Sequence, residues 1–305
     1  MKATFLICLL ASSISILFSQ PNETLGKTLI TSDIDLFWKC YDQAQGKITR
    51  STFQEYIDNG SAGVKGFMHM RIENARKLAK TVKKNQAYYE CIRPGSLAIR
   101  DSFEQQILQV YQQMKEWYAE ATIPNLYFVI GRKNTGGTIS GDGLIMGAEM
   151  YGPQGNTTGP DAIINYQDIP AIVAHELIHF QQQYSASKTL LDQTLREGSA
   201  DFLAYLIQGK ALRHHLDDWA VPKVEELWGI FEQEMYDKSY QGWLYGGGSV
   251  MANAPRDLGY WMGFYICKAY YVKQPDPKQA VIDILTIQDS KAFLEASGFK
   301  GEILP

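Results

Sequence analysis

The sequence predicts an α+β fold made mainly of helices, and three observations carry that prediction. Apolar residues recur near helical spacing through residues 30–120; after Pro124 the aromatic and β-branched run "LYFVIG" leads into the turn-rich "RKNTGGTISGDG"; from Asp168 onward the pattern is helical again. One small sheet between two helical stretches fits a single domain over residues 21–305, with no internal repeat or low-complexity linker.

The first twenty residues, "MKATFLICLLASSISILFSQ", carry one early lysine and an apolar run from about Phe5 to Leu17. This is the layout of a secretory signal peptide, too short and too weakly flanked for a membrane span. The chain is therefore expected to be exported, secreted or held in the periplasm or cell envelope, without stable membrane insertion after cleavage. Cys8 leaves with the leader. Cys40, Cys91 and Cys267 remain, too few for a disulfide scaffold, although an oxidising compartment permits a Cys40–Cys91 bridge.

Each later element has its own signal. Ser32 is placed to cap "SDIDLFWKCYDQAQ"; "FMHMRIENARKLAKTVKKNQAYYECI" runs without a Gly or Pro breaker; "SLAIRDSFEQQILQVYQQMKEWYAEA" completes the N-terminal helices. "LYFVIG" and "LIMGAEMYG" read as a β-hairpin with a glycine-rich connection, and "GLIMGAEMY" as an edge strand open to an added peptide strand. Asp168 and Pro170 open the helix "IPAIVAHELIHF", and "YGGGSVMANAPRDLG" interrupts the C-terminal helices.

The net charge of −4 is small for 305 residues, and the basic residues are dispersed, so nothing points to nucleic acid or an anionic membrane. "TGGT" at 135–138 lacks the spacing and the lysine of a phosphate cradle. "NTT" at 156–158 would matter only in a eukaryotic secretory route.

The chemistry concentrates in "HELIH". His175 and His179, two of five histidines, stand four residues apart, and positions i and i+4 share one helix face. Burying them with Glu176 among Ile172, Val173, Leu177 and Ile178 would cost several kcal/mol, of the order given for unpaired polar groups, unless a metal or other partner compensates. A catalytic zinc takes three protein ligands and leaves a place for water. A third histidine in the HExxHxxGxxH spacing is missing, because "FQQQYSASK" follows His179; Glu197 in "REGSAD", eighteen residues on, supplies a carboxylate instead. Gly198 allows close helix approach. Asp201, one turn beyond Glu197, is placed to accept a hydrogen bond from the second nitrogen of a ligating histidine.

HELIH followed by EGSAD resembles the HExxH…ExxxD pattern of thermolysin-like gluzincin metallopeptidases. The resemblance implies a zincin-like fold with one Zn²⁺ per chain, held by His175, His179 and Glu197, Glu176 as general base, and Asp201 orienting a ligand histidine. More broadly, "YFVIGRKNTGGTISGDGLIMGAEMYG", the two motif helices and "APRDLGYWMGFYICKAYY" resemble an uncharacterised family of predicted secreted bacterial Zn-dependent proteases, distantly similar to gliding-motility lipoproteins. The implied activity is hydrolysis of a peptide or protein substrate by activated water. Gluzincins commonly add a tyrosine or histidine donor for the developing oxyanion. Tyr260, Arg256 and the pair His214–His215 are the candidates, with Tyr260 preferred because it follows the glycine-rich loop. The alternative class is a cell-envelope assembly or structural protein that keeps the zinc site without peptidase activity. An intact Glu176 favours the enzyme.

Overall fold

The computed structural model describes residues 29–155, 159–186, 188–246 and 249–303. The leader at 1–20 and the "NTT" at 156–158 lie outside those ranges. Helices dominate, beside one four-stranded and one two-stranded sheet, in agreement with the α+β, mainly helical prediction.

The N-terminal layer begins with β1 (Leu29–Ile30) and α1 (Ser32–Gln43). The expected cap at Ser32 falls one residue late, since Thr31 is the N-cap and no side chain closes it. Asp33 in the first turn is buried and instead accepts the Ser61 backbone N–H at 2.9 Å. Phe37 of α1 stacks on Phe53 at 4.6 Å, and α2 (Gln54–Asn59) and α3 (Ala62–Gly66) follow.

The stretch expected to run unbroken from Phe67 to Ile92 is broken twice. A π-type turn at Met68–Ile72 holds Met70 at φ 59°, and Glu73 follows at φ 65°. Asn74 then caps α4 (Ala75–Lys84), its side chain accepting the Lys77 N–H at 2.9 Å, and Asn85 separates α4 from α5 (Gln86–Leu97). The two asparagines supply the local breaks that the absence of Gly and Pro concealed. The long α6 (Ile99–Trp117) completes this layer.

The sheet differs from the expected hairpin. Its order is β1-β2-β4-β3, from β1, β2 (Asn125–Val129), β3 (Gly137–Ser140) and β4 (Gly143–Gly147). "LYFV" and "LIMG" pair in parallel, Leu126 opposite Leu144 and Phe128 opposite Met146. The connection itself supplies β3, which returns antiparallel to β4. The buried β4 is thus interior, and the open edge belongs to β3. The small sheet joins β5 (Tyr151–Gly152) to β6 (Ile164–Asn165).

The last half is helical: α7 (Ile169–Gln181), α8 (Leu190–Gln208), α9 (Asp217–Ala220), α10 (Val224–Glu234), α11 (Leu258–Tyr271), α12 (Pro277–Leu285) and α13 (Ser290–Ser297). Pro170 sits in the first turn of α7 as expected, but the Asp168 carboxylate binds Lys210 at 2.7 Å instead of capping the helix. A Thr189–Asp192 capping box opens α8, and Gly209, at φ 68°, closes it. α7 packs on β3 and β4 and against α6 and α8, while α8 crosses α11. That crossing is very close: a Cβ on Gly198 would lie 2.2 Å from the Gly263 carbonyl carbon, and one on Gly263 would lie 2.1 Å from the Thr194 oxygen. The close approach expected of Gly198 is made with α11. Buried side chains form one apolar cluster reaching from Leu29 to Phe299. Cys40, Cys91 and Cys267 are free thiols, so the permitted Cys40–Cys91 bridge is not formed. No helix among the described residues is long and apolar enough to cross a membrane.

Candidate metal centre

Two helices meet where the sequence places its polar stripe. α7 is apolar on nearly every side, with Ile169, Val173, Ala174, Leu177 and Ile178 buried, and it projects His175 and His179 from one face towards α8. α8 returns Glu197, which is buried like His175. His175 Nε2 and His179 Nε2 lie 3.0 Å apart, His179 Nε2 and the Glu197 Oε2 3.2 Å, and His175 Nε2 and the same oxygen 3.5 Å.

Those separations test whether a zinc ion fits. Bonds of roughly 2.0–2.1 Å at tetrahedral angles set neighbouring ligand atoms about 3.3–3.4 Å apart, which the triangle brackets. The second nitrogens decide which ring atoms are free. His175 Nδ1 bonds the Asp201 Oδ1 at 2.8 Å, and His179 Nδ1 bonds the Gln182 Oε1 at 2.9 Å. Gln182 shows its oxygen to the ring because its amide nitrogen donates to the Arg196 carbonyl at 2.7 Å and to Ser199 Oγ at 2.9 Å. Both partners are acceptors, so each Nδ1 carries the proton and each Nε2 turns its lone pair inward. Two such lone pairs 3.0 Å apart beside a carboxylate repel one another unless a positive charge lies among them. Positive charge is favoured there even as a bare proton. Burial lowers the His175 pKa, yet hydrogen bonds to Asp201 and Glu197 outweigh it and hold the ring above the ordinary imidazole range.

The surrounding residues hold the carboxylates ionised. Burial would raise the Asp201 pKa, but the Arg213 guanidinium, ion-paired with its Oδ2, and His175 bring it below the usual range. The Glu197 Oε1 accepts from Tyr245 Oη at 2.8 Å and from Gln193 Nε2 at 3.1 Å. Glu176 turns the other way, towards the sheet. A Cβ built on Gly137 of β3 would lie 2.5 Å from its Oε1, so only glycine lets the edge strand come this close. Burial raises the Glu176 carboxyl, with His175 and His179 opposing.

The structure thus gathers His175, Glu176, His179, Glu197 and Asp201 in one place. Tyr260 borders them: its ring centroid is 6.3 Å from His175 and 6.2 Å from Tyr245, and Arg213 lies over its face at 3.7 Å. Its hydroxyl makes no hydrogen bond to any described residue. The other donor candidates are not drawn in. His214 is exposed and pairs with Asp217 at 2.7 Å, and Arg256 is exposed beside Gly246. Gln182, Gln193, Arg213 and Tyr245 escaped the sequence reading. Only Gln193, four residues before Glu197 on the same helix face, left a signal there; Tyr245 arrives from a glycine-rich loop at φ 60°.

No curated protein and no solved structure matches this chain. A family model does, over residues 103–294, a span that takes in most of α6, strands β2 to β6, both motif helices and the crossing helix α11. Over well more than half its length, then, this chain belongs to the family described as predicted Zn-dependent protease (DUF2268).

Proposed function

We propose that the protein is an exported zinc metallopeptidase in which His175, His179 and Glu197 hold one zinc and Glu176 is the general base. The observation that carries this reading is the convergence of two Nε2 lone pairs and one carboxylate oxygen on a common point, with Glu176 beside it and the open edge of β3 alongside. Zinc held there would polarise a carbonyl and lower the pKa of a water molecule.

The chain's own groups do the rest. The outer edge of β3 offers backbone N–H and C=O groups to an extended peptide, so the substrate lies as an added strand across Glu176. The Glu176 carboxylate, half buried between β3 and the ligand histidines, takes the proton of the attacking water and returns it to the leaving amine nitrogen. Tyr260, whose hydroxyl has no hydrogen-bond partner among the described residues, donates to the oxyanion, and Arg213 over its ring favours negative charge on the acceptor side. Tyr245 is occupied differently. Its hydroxyl fixes the Glu197 Oε1 and leaves Oε2 to the metal.

Glu176→Gln tests the assignment, because it removes the base and leaves all three ligands. Zinc content and thermal midpoint should match the wild type, while hydrolysis of a peptide found by library digestion falls by on the order of 10²–10⁴. Tyr260→Phe should likewise lower kcat with zinc retained. An unchanged rate in Glu176→Gln would assign the base elsewhere, and a zinc-loaded wild type that cleaves no peptide would return the fold to an assembly role.

A further inference from the structure

Half-buried arginines in this molecule generally have a carboxylate at hand. Arg93 holds Asp42, Arg100 holds Glu104, Arg132 holds Glu73 and Arg213 holds Asp201. Arg71 does not. No carboxylate lies within ion-pair distance of it among the described residues; its Nε is buried without a hydrogen-bond partner, its Nη2 donates at 3.0 Å to Thr138 Oγ1, its Nη1 reaches only the His69 carbonyl at 3.4 Å, and the guanidinium lies 5.9 Å from the Phe67 ring centre. Taking a guanidinium out of water without a counter-charge is costly, so the position calls for an explanation.

The location supplies one. Thr138 is the second residue of β3, next to Gly137, against which Glu176 packs. Successive side chains of a strand point to opposite faces, so Glu176 and Arg71 flank the open edge of β3 from its two sides. The charge of Arg71 is felt at Glu176 across the strand. Its backbone is fixed in place: Met70 and Glu73 on either side adopt positive φ, and the Arg71 carbonyl accepts from Arg132 Nε and from Asn134 Nδ2 at 3.3 Å.

We infer that Arg71 is a specificity residue that receives a carboxylate of the peptide laid along β3. A peptide strand there also alternates its side chains, one towards Glu176 and the metal centre and the next towards Arg71. The carboxylate is either an aspartate or glutamate side chain next to the residue that faces the metal, or the free C-terminus of a peptide that ends at that point. Guanidinium and carboxylate pair through charge-assisted, bidentate hydrogen bonds, which an amide cannot reproduce.

The inference rests on the peptide-cleft reading but not on hydrolysis, and its test separates the two. Zinc-loaded full-length protein is given matched peptide pairs: C-terminal acid against C-terminal amide, and Asp or Glu against Asn or Gln at successive positions. One pair should show a carboxylate preference in kcat/KM of on the order of 10- to 100-fold, mainly through KM, and the responsive pair identifies the source of the carboxylate. Arg71→Ala should bring that ratio towards one, and Arg71→Lys should retain part of it. Zinc content and circular dichroism report whether each variant is folded. Arg71→Gln, which keeps a polar side chain without the charge, serves if alanine is not. Anisotropy of the same labelled peptides on zinc-loaded Glu176→Gln protein reads the preference without turnover. A carboxylate preference in binding without hydrolysis by the wild type would overturn the peptidase reading alone. No preference in any pair, or equal loss on both members in Arg71→Ala, would overturn the role of Arg71.

Discussion

Glu197 and Glu149 are both buried carboxylates, and the molecule treats them in opposite ways. Glu197 is surrounded by hydrogen-bonding groups: His175 and His179 face one oxygen, Gln193 and Tyr245 the other. Burial would raise its pKa, but the histidines hold it well below the usual carboxylate range. Glu149, in the turn at Ala148–Met150 that follows β4, is fully buried with little to replace water. Its Oε1 accepts the Lys133 N–H at 3.1 Å, and its Oε2 has no partner among the described residues. Burial therefore pushes Glu149 up to about 7, opposed only in part by the backbone of Gly131 and Lys133 and by the Lys133 charge. Burial sets the cost of a charge, and the number of donors decides whether the charge stays.

The contrast matches position. Glu197 is held ionised where α7 and α8 meet, in the group that could hold a metal ion. Glu149 supports the loop at 131–136 that delivers β3 to Glu176, and Tyr88 and Tyr89 of α5 tie the same region through the Glu149 carbonyl at 2.6 Å and the Gly131 carbonyl at 2.8 Å. One carboxylate makes the centre, and the other holds its wall.

The contrast breaks most completely at the ligands. His175→Ala, His179→Ala or Glu197→Ala should each reduce zinc from about one per chain to near none after dialysis, measured by elemental analysis, because removing one of three protein ligands leaves too few to hold the ion. Full zinc in Glu197→Ala would make that carboxylate an ordinary buried acid like Glu149. A smaller effect is expected one shell out. Asp201→Asn keeps an oxygen acceptor for the His175 Nδ1–H but loses the charge paired with Arg213, and zinc affinity by competition with a chelator should fall roughly 10–100-fold. Affinity equal to wild type would detach Asp201 from the centre.

The smallest effect concerns Glu149 and is a matter of pH. Its folded value of about 7 lies above the ordinary 4.5, so the folded state holds this proton more tightly than the unfolded chain does. That contribution to stability is fully present below pH 4.5 and is lost as pH rises through 7. Glu149→Gln keeps an acceptor for Lys133 N–H and cannot ionise. Its thermal midpoint should therefore lie close to wild type near pH 5 and exceed it above pH 7, by roughly 3 kcal/mol, several degrees for a chain of this size. A variant that differs equally at both pH values would show that Glu149 does not titrate in this window. Tyr56, Tyr88, Tyr89 and Tyr151 also face Glu149, but they remain neutral throughout it because burial raises them all.

How much of this was legible depends on distance along the chain. HELIH declares its own geometry, since the helix period alone puts His175 and His179 on one face, and the four-residue step from Glu197 to Asp201 does the same on α8. The glycine at 198 announced a close contact without naming Gly263 as its partner. Features that depend on pairing between distant segments were hidden: "LYFV" and "LIMG" looked like a hairpin because they are neighbours in sequence, whereas the turn-rich connection between them folds back as β3 and takes the edge.

By itself, then, the sequence determined the helical dominance of the fold, the shared face of His175 and His179, and the one-turn step from Glu197 to Asp201, because these follow from local periodicity, and it singled out His175, Glu176, His179 and Glu197 as the group that the structure brings together. Tertiary structure alone decided which strand lies open beside Glu176, that Arg196 and Ser199 of α8 turn the Gln182 oxygen to the second histidine, that Tyr245 closes on Glu197, and that no carboxylate among the described residues comes within ion-pair distance of Arg71 at the strand edge. These depend on contacts between segments up to about a hundred residues apart, where no short-range period constrains which side chains meet.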